Sequence, residues 1–472
     1  MTILSSYNPA TGDEIWRGDE TPLSAMNDIV DRARTAFTRW AHTTLEERIE
    51  LLQRYAERVK ARREEIEYLI AKENGKVLRD AKAEAGAMIS KVAISIEAYH
   101  QRTGETNSIM DGGIQRRVTH RPIGVMVVFG PYNFPMHLPN GHIVPALLAG
   151  NVVILKPSEQ TPACGALIVE LFHEAGFPED VVQCVQGGRA QGQALVQHPS
   201  ISGVLFTGSY ATGKAIHKAL SGRPEVMLAL EMGGNNPLIA HHADDAHKAA
   251  QLIVESAFAS SGQRCTCARR LIVPVGAEGD KIIAALQDVT GRLTVGDAFA
   301  TPEPYMAALI NNHQADAVLH AQEALIARGA KLLCKAERTM ADRPFLTAGL
   351  LDVTGIEGIE DEEVFGPLLQ IIRVADGEEA VRVANATAYG LSAGVITDDD
   401  AYWDYAYRHL RAGILNRNRP TTGAASSSPF GGPGHSGNYR PSAYYAADYC
   451  AYPVATLATD AVEGCTLVGL SS

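Results

Sequence analysis

The stretch that most limits the fold is an alternation of short apolar runs and helical segments between residues 125 and 220. Val-Met-Val-Val-Phe at 125–129, Asn-Val-Val-Ile-Leu at 151–155, Val-Val-Gln-Cys-Val at 181–185 and Gly-Val-Leu-Phe at 203–206 each read as a strand. Each ends in a turn signal: Gly130-Pro131, Lys156-Pro157, Gly187-Gly188 and Thr207-Gly208-Ser209. Residues 139–148, 162–175, 190–197 and 211–220 read as helices. Strands that are apolar throughout and alternate with helices imply an α/β fold with a doubly wound parallel sheet. Such sheets bind ligands beyond the carboxyl ends of their strands. Those ends carry Asn133, Lys156, Gly187 and Ser209.

Ahead of this alternation, residues 24–100 repeat apolar positions at helical spacing, as in Ile49, Leu52, Tyr55 and Val59. The segment 115–121 reads as a strand or a connecting hairpin. After Gly233 a second α/β stretch begins, with strands expected at 271–275, 393–396 and 413–415 and helices at 249–260, 281–290 and 315–327. Residues 419–437 form a loop of about twenty residues, a length that inside a compact domain is usually functional or disordered. The aromatic tail 444–453 suits a strand that pairs with another subunit. No strand is expected ahead of the Asn8–Gly12 turn.

A chain of 472 residues exceeds one ordinary core and implies two or three domains. A net charge of -12 argues against a nucleic-acid partner, which needs a basic face. The most apolar region, residues 123–155, is broken by Pro131, Pro135, Pro139 and Pro145 and cannot be a membrane span. The first seven residues have no basic stretch followed by an apolar run, so no signal peptide is expected. Seven cysteines without paired spacing fit a reducing cytoplasm. Cys265 and Cys267 have no second Cys or His pair nearby, so no metal site is expected.

The chemistry concentrates at residues 261–270, where Cys265 follows a Gly-Gln pair and is bracketed by Arg264, Arg269 and Arg270. Positive charge lowers a thiol pKa and makes the thiolate nucleophile; a buried cysteine behind a charged loop is the plainer alternative. Glu231, after the apolar run 227–230 and before two glycines, is either a desolvated general base or an ordinary strand-end carboxylate. Asn133 offers an amide for an oxyanion or simply makes a turn. Gly208 to Lys214, with Gly213 in the turn, opens a helix where phosphate binds, yet Ala215 replaces the hydroxyl that a P-loop needs. Lys156 and Glu159 can take ribose hydroxyls, Glu159 then favouring NAD over NADP, or can belong to an exposed helix N-terminus.

Taken in order, the segments 131–135, 156–159, 206–209, 230–234, 262–265 and 363–367 resemble the aldehyde dehydrogenase superfamily, over nearly the whole chain. The resemblance implies a cysteine nucleophile, Cys265, a general base, Glu231, and an oxyanion amide, Asn133. It implies NAD held by Lys156 and Glu159 at the adenosine ribose, by Gly208, Ser209 and Gly213 near the pyrophosphate, and by Glu363 and Phe365 at the nicotinamide end. Its spacing selects Cys265 over Cys267. Residues 1–103 and 123–232 would form the NAD-binding domain and 233–438 the catalytic domain. Residues 104–122 and 439–460 would form a small β oligomerisation element of a homodimer or homotetramer. Segments 231–237, 262–270, 418–423 and 440–449 look most like a branch that oxidises an acidic semialdehyde in bacterial arginine catabolism. Such a substrate calls for a positive clamp, for which Arg264, Arg417 and Arg419 are the candidates beside a structural ion-pair role. The alternatives are a dehydrogenase of another acidic or aliphatic semialdehyde, or a family member without catalysis.

Overall fold

The computed structural model describes residues 2–462, 468 and 469. β1 (Ile3–Tyr7) and β2 (Glu14–Asp19) form an antiparallel hairpin around the Asn8–Gly12 turn. A strand therefore does precede Asn8, and Ser6 on it donates to the buried Glu73 carboxylate at 2.5 Å. Four helices follow: α1 (Met26–Trp40), α2 (Leu45–Ala61), α3 (Arg63–Asn74) and α4 (Leu78–Arg102). Thr44 and Glu47 make a reciprocal capping box at the start of α2. Gly75, at φ 84, ends α3 in the left-handed conformation that glycine adopts without cost. The hairpin of β3 (Thr106–Ile109) and β4 (Gln115–Pro122) leads into the first large sheet.

That sheet is built from β5 (Val125–Phe129), α5 (His137–Ala149), β6 (Val152–Lys156), α6 (Pro162–Glu174), β7 (Val182–Cys184), α7 (Arg189–Gln197), β8 (Gly203–Gly208), α8 (Tyr210–Leu220) and β9 (Met227–Met232). The order is β7-β6-β5-β8-β9, all parallel. The chain winds one way from β5 and the other way through β8, so the crevice lies beyond the carboxyl ends of β5 and β8. All of β5 and β6 is buried, each Val, Ile or Leu contributing about 1.5–3 kcal/mol.

The second unit comprises β10 (Asn236–Ala240), α9 (Ala246–Phe258), β11 (Ala268–Pro274), α10 (Ala277–Gly291), α11 (Asn312–Ala327), β12 (Lys331–Cys334), β13 (Gly349–Asp352), β14 (Leu368–Val374), α12 (Gly377–Ala384), β15 (Ser392–Ile396), α13 (Asp400–His409) and β16 (Ile414–Arg417). Its sheet runs β12-β13-β14-β11-β10-β15-β16, parallel except for β12. Sequence periodicity did not single out β12 to β14, α12 or α13.

The region 419–437 is not bare loop: β17 (Pro429–Phe430) pairs with β18 (Ser442–Ala443). The short α14 (Ala446–Tyr449) then packs into the core of the first unit. β19 (Ala451–Ala458) pairs with β4 of its own chain, in the sheet order β19-β4-β3. The tail strand expected to reach another subunit thus first completes an intrachain sheet, and its far edge has no partner strand among the described residues. Among the described residues no helix is long and apolar enough to cross a membrane.

Candidate active site

Between α9 and β11 the backbone is strained. Ser260, Ser261 and Gly262 take φ of 52°, 55° and 73°, a left-handed run that costs energy at the two serines. Partners hold it in place. Ser261 donates to the Ala307 carbonyl at 2.8 Å, and Ser260 donates to Asp80 at 2.7 Å. At Gly262 a Cβ would lie 2.3 Å from the Gly366 carbonyl oxygen, so only glycine fits before the cysteine. From the start of β10, the Asn236 amide donates to the carbonyls of Cys265 (2.7 Å) and Cys267 (2.9 Å). These contacts turn Cys265 toward a cavity of about 280 Å³ and bury Cys267, whose thiol points at the Ala259 carbonyl.

The arginines around the thiol have other partners. Arg264 donates to Ser260 at 2.8 Å and pairs with Asp80 at 3.2 Å, while still lining the cavity. Arg269 is buried, 3.6 Å from Glu363 and beneath Phe365. Arg270 donates to the Val383 and Ala384 carbonyls and so caps the end of α12. Burial, reinforced by the Glu363 and Glu231 carboxylates, pushes the Cys265 thiol up, and Arg269 offsets this only in part. Burial and the two carboxylates thus work against the thiolate that flanking arginines would favour. Arg417 sits elsewhere, paired with Asp400 at 2.6 Å and facing Trp403 on α13. Arg419 is exposed and also lies off this cavity. Neither forms part of a clamp around Cys265.

Glu231, near the end of β9, lines the same cavity as Cys265. One carboxyl oxygen accepts the Ser442 N–H at 3.0 Å and the other has no partner among the described residues. Burial raises its pKa well above the usual carboxylate range. Asn133, beyond β5, donates its amide to the Gln263 carbonyl at 3.0 Å and is thereby tied to the nucleophile loop. Its own carbonyl accepts from Lys76 at 2.5 Å. Lys76 pairs at 2.8 Å with Glu84, which also accepts the N–H groups of Met136 and His137. This buried pair fixes the Asn133 turn.

On the far side of the cysteine, Glu363 approaches Gly233, where a Cβ would stand 1.7 Å from a Glu363 oxygen. Burial pushes the Glu363 carboxyl up to about 7, and one of its oxygens has no hydrogen-bond partner among the described residues. The Phe365 ring meets Tyr132 edge-on at 6.0 Å. Lys156, at the end of β6, is buried, donates to the Pro157 carbonyl at 2.9 Å and lies 3.7 Å from the exposed Glu159. Ser209 caps α8, accepting from the Thr212 N–H, so the first backbone N–H groups of α8 face the crevice end of the sheet. Gly208 and Gly213 leave no room for side chains, because a Cβ would meet Phe206 at 2.6 Å and Met232 at 2.4 Å respectively.

Residues 2–453 match the family model described as "Aldehyde dehydrogenase family". The chain belongs to the aldehyde dehydrogenase family. The enzyme is 50% identical over 454 residues to the N-succinylglutamate 5-semialdehyde dehydrogenase of Paraburkholderia xenovorans, covering 96% of this chain and 93% of the relative. It is equally 50% identical to the enzyme of that name from Vibrio cholerae, at the same coverage. A solved 1-pyrroline-5-carboxylate dehydrogenase from Thermus with bound NAD matches this aldehyde dehydrogenase with a TM-score of 0.90 and 30% identity, over 97% of this chain and 90% of that one. An aldehyde dehydrogenase from Physcomitrella patens, in complex with the reaction product succinate, matches with a TM-score of 0.88 and 25% identity, covering 97% and 95%.

Several residues around the aldehyde dehydrogenase cavity carry no local sequence signal. His142 bonds Tyr449 at 2.8 Å and Thr207 at 3.0 Å; burial, with the Lys91 charge adding, pushes its pKa down to about 3, so the ring is neutral. Asp80, Glu84 and Lys91 read as an ordinary charged helix. Their spacing along α4 puts them on one face, which becomes meaningful only once α4 is known to border the cavity.

Proposed function

We propose that this enzyme oxidises N-succinylglutamate 5-semialdehyde to N-succinylglutamate, with NAD as the hydride acceptor. One observation carries the chemistry: Cys265 and a Glu231 carboxyl with an unpartnered oxygen line a single cavity. The substrate is inferred from likeness to the relatives that bear its name.

In this reading the Glu231 carboxylate takes the Cys265 proton and passes it to solvent, while the sulfur attacks the aldehyde carbon, forming a C–S bond as the carbonyl π bond opens to a thiohemiacetal oxyanion. The Asn133 amide, which has a second N–H beyond the one given to Gln263, and the Cys265 backbone N–H meet that oxyanion. NAD, when bound, supplies the two-electron acceptor that takes hydride from this carbon and leaves a thioester. Glu231 then takes a proton from water. The resulting hydroxide adds to the thioester, the C–S bond breaks, and carboxylic acid and free Cys265 result. Burial suits Glu231 to this work because it raises its affinity for the proton. A carboxylate there also favours hydrolysis over acyl transfer to a thiol acceptor.

The residues present suit a dinucleotide. Lys156 and Glu159 would hold the adenosine ribose. The free N–H groups of α8, beside Gly208, Ser209 and Gly213, suit a pyrophosphate. Glu363, with one oxygen unpartnered, and Phe365 would hold the nicotinamide end. The exposed Glu159 carboxylate disfavours a ribose 2′-phosphate. The enzyme is read as a cytoplasmic homodimer or homotetramer, supported by the open edge of β19 and the exposed Ile109 and Leu457 on the same small sheet.

The test is NADH formation by the full chain across a panel of aldehydes. N-Succinylglutamate 5-semialdehyde should exceed other acidic and aliphatic semialdehydes by about tenfold or more in kcat/KM. A different preferred semialdehyde overturns the substrate, and no NADH from any aldehyde overturns catalysis.

A further inference from the structure

α4 presents Asp80, Glu84, Ala87 and Lys91 to the cavity at helical spacing. Both acids are already neutralised, Asp80 by Arg264 at 3.2 Å and Glu84 by Lys76 at 2.8 Å. Lys91 is different. Its side chain is 1% exposed, and its ammonium donates to the Ala443 carbonyl at 2.7 Å. Among the described residues no carboxylate pairs with it. An ammonium has three donors, so two remain for a ligand inside the cavity. Burial lowers its pKa to about 8, so it is still mostly charged at neutral pH. A buried ammonium without an acid is costly to keep unless something negative completes it.

We infer that Lys91 is the carboxylate-binding residue of the substrate subsite: its ammonium pairs with a carboxylate of the acidic aldehyde whose carbonyl carbon meets Cys265. This rests on the acidic-substrate reading above and changes which residue makes the clamp. N-Succinylglutamate 5-semialdehyde has one aldehyde and two carboxylates, so it enters as a dianion. Arg417 and Arg419 lie off the cavity, and Arg264 is largely committed to Asp80 and Ser260. Lys91 is the cavity's uncompensated positive charge among the described residues.

Lys91→Gln keeps a donor for the Ala443 carbonyl while removing the charge, and Lys91→Arg keeps the charge. With Lys91→Gln, KM for the acidic aldehyde should rise about 10- to 100-fold more than KM for butanal, the range for a hydrogen bond to a charged group. Calorimetric binding of N-succinylglutamate should weaken by a similar factor. Lys91→Arg should recover most of the discrimination between the two aldehydes. Equal effects of Lys91→Gln on acidic and neutral aldehydes, or none on product binding, would make Lys91 only a peg for the Ala443 carbonyl and overturn the inference. Should the glutamine variant not fold, Lys91→Arg decides: loss of discrimination in a folded arginine variant overturns it. If the wild-type enzyme prefers a different acidic semialdehyde, the substrate proposal fails while the same comparison, run on that aldehyde, still judges Lys91. A preference for neutral aldehydes overturns both.

Discussion

The two sides of the Cys265–Glu231 pair are built differently. On the cofactor side, Lys156 and Gly208 stand at the ends of parallel strands, with Glu231 near the end of a third at the junction, and each position follows from where a strand stops. On the substrate side the wall comes from faces of α4 and α5 and from the segment around Phe430, Ser442 and Ala443. Strand ends recur in every sheet of this type, so one side carries a general dinucleotide geometry. Helix faces and long loops vary freely without disturbing the sheet, so the other side can be fitted to a particular aldehyde.

The largest effect expected lies at the junction of the two sides. Glu231→Gln should cut steady turnover by about 100- to 10,000-fold while a first burst of NADH persists, as stopped-flow absorbance would reveal. Unchanged steady turnover would remove Glu231 from deacylation. In the wild type, deacylation should slow as pH falls through the raised Glu231 pKa, because only the carboxylate accepts a proton. Stability runs the opposite way. A carboxyl whose pKa is raised by folding contributes stability that is full at low pH and is lost as pH rises through the folded value. The glutamine variant should therefore melt at a higher temperature than wild type in alkaline buffer, and a lower melting temperature there would refute the buried-carboxyl account.

Next comes the substrate-side scaffold. Lys76→Met leaves Glu84 buried without its cation and should cost about 3–5 kcal/mol in urea unfolding. A loss below about 1 kcal/mol, the exposed-pair range, would mean that the Asn133 turn is held by something else. On the cofactor side, Glu159→Ser should raise KM for NAD by roughly tenfold and narrow the preference over NADP, since about 1.4 kcal/mol is one hydrogen bond to a charged group. An unchanged ratio of the two cofactors would detach Glu159 from the ribose. The smallest effect belongs to Arg417→Ala. Its partner Asp400 is 90% exposed, so stability should change by less than about 1 kcal/mol and KM for the acidic aldehyde hardly at all. A large rise in KM would extend the substrate side out to α13 and blur the contrast between the two walls.

Much of the cofactor side was legible in the chain itself. The apolar runs ending at Phe129, Leu155 and Phe206 matched observed strands to within a few residues, because a buried parallel strand is apolar on both faces. The tail was harder. Residues 444–453 read as a strand for another subunit, whereas 446–449 form α14 and β19 pairs with β4 of the same chain, over 300 residues earlier. β12 and β13 were missed because strands of four residues resemble any short apolar stretch, and β14, seven residues long, was missed although Gly366-Pro367 precedes it.

Sequence alone determined what depends on near neighbours: the alternation of strands and helices in the first large sheet and the strand-end positions of Lys156 and Glu231. Tertiary structure decided what depends on distant partners. Arg264 meets Asp80 across 184 residues, Asn133 meets Gln263 across 130, and Lys91 meets Ala443 across 352. It also turned Cys265 to the cavity and Cys267 into the core, although a single residue, Thr266, separates them. Backbone conformation is governed by interactions over a few residues and leaves a periodic trace. The partner of a charge is whatever packing brings within a few ångströms, and no local pattern records it.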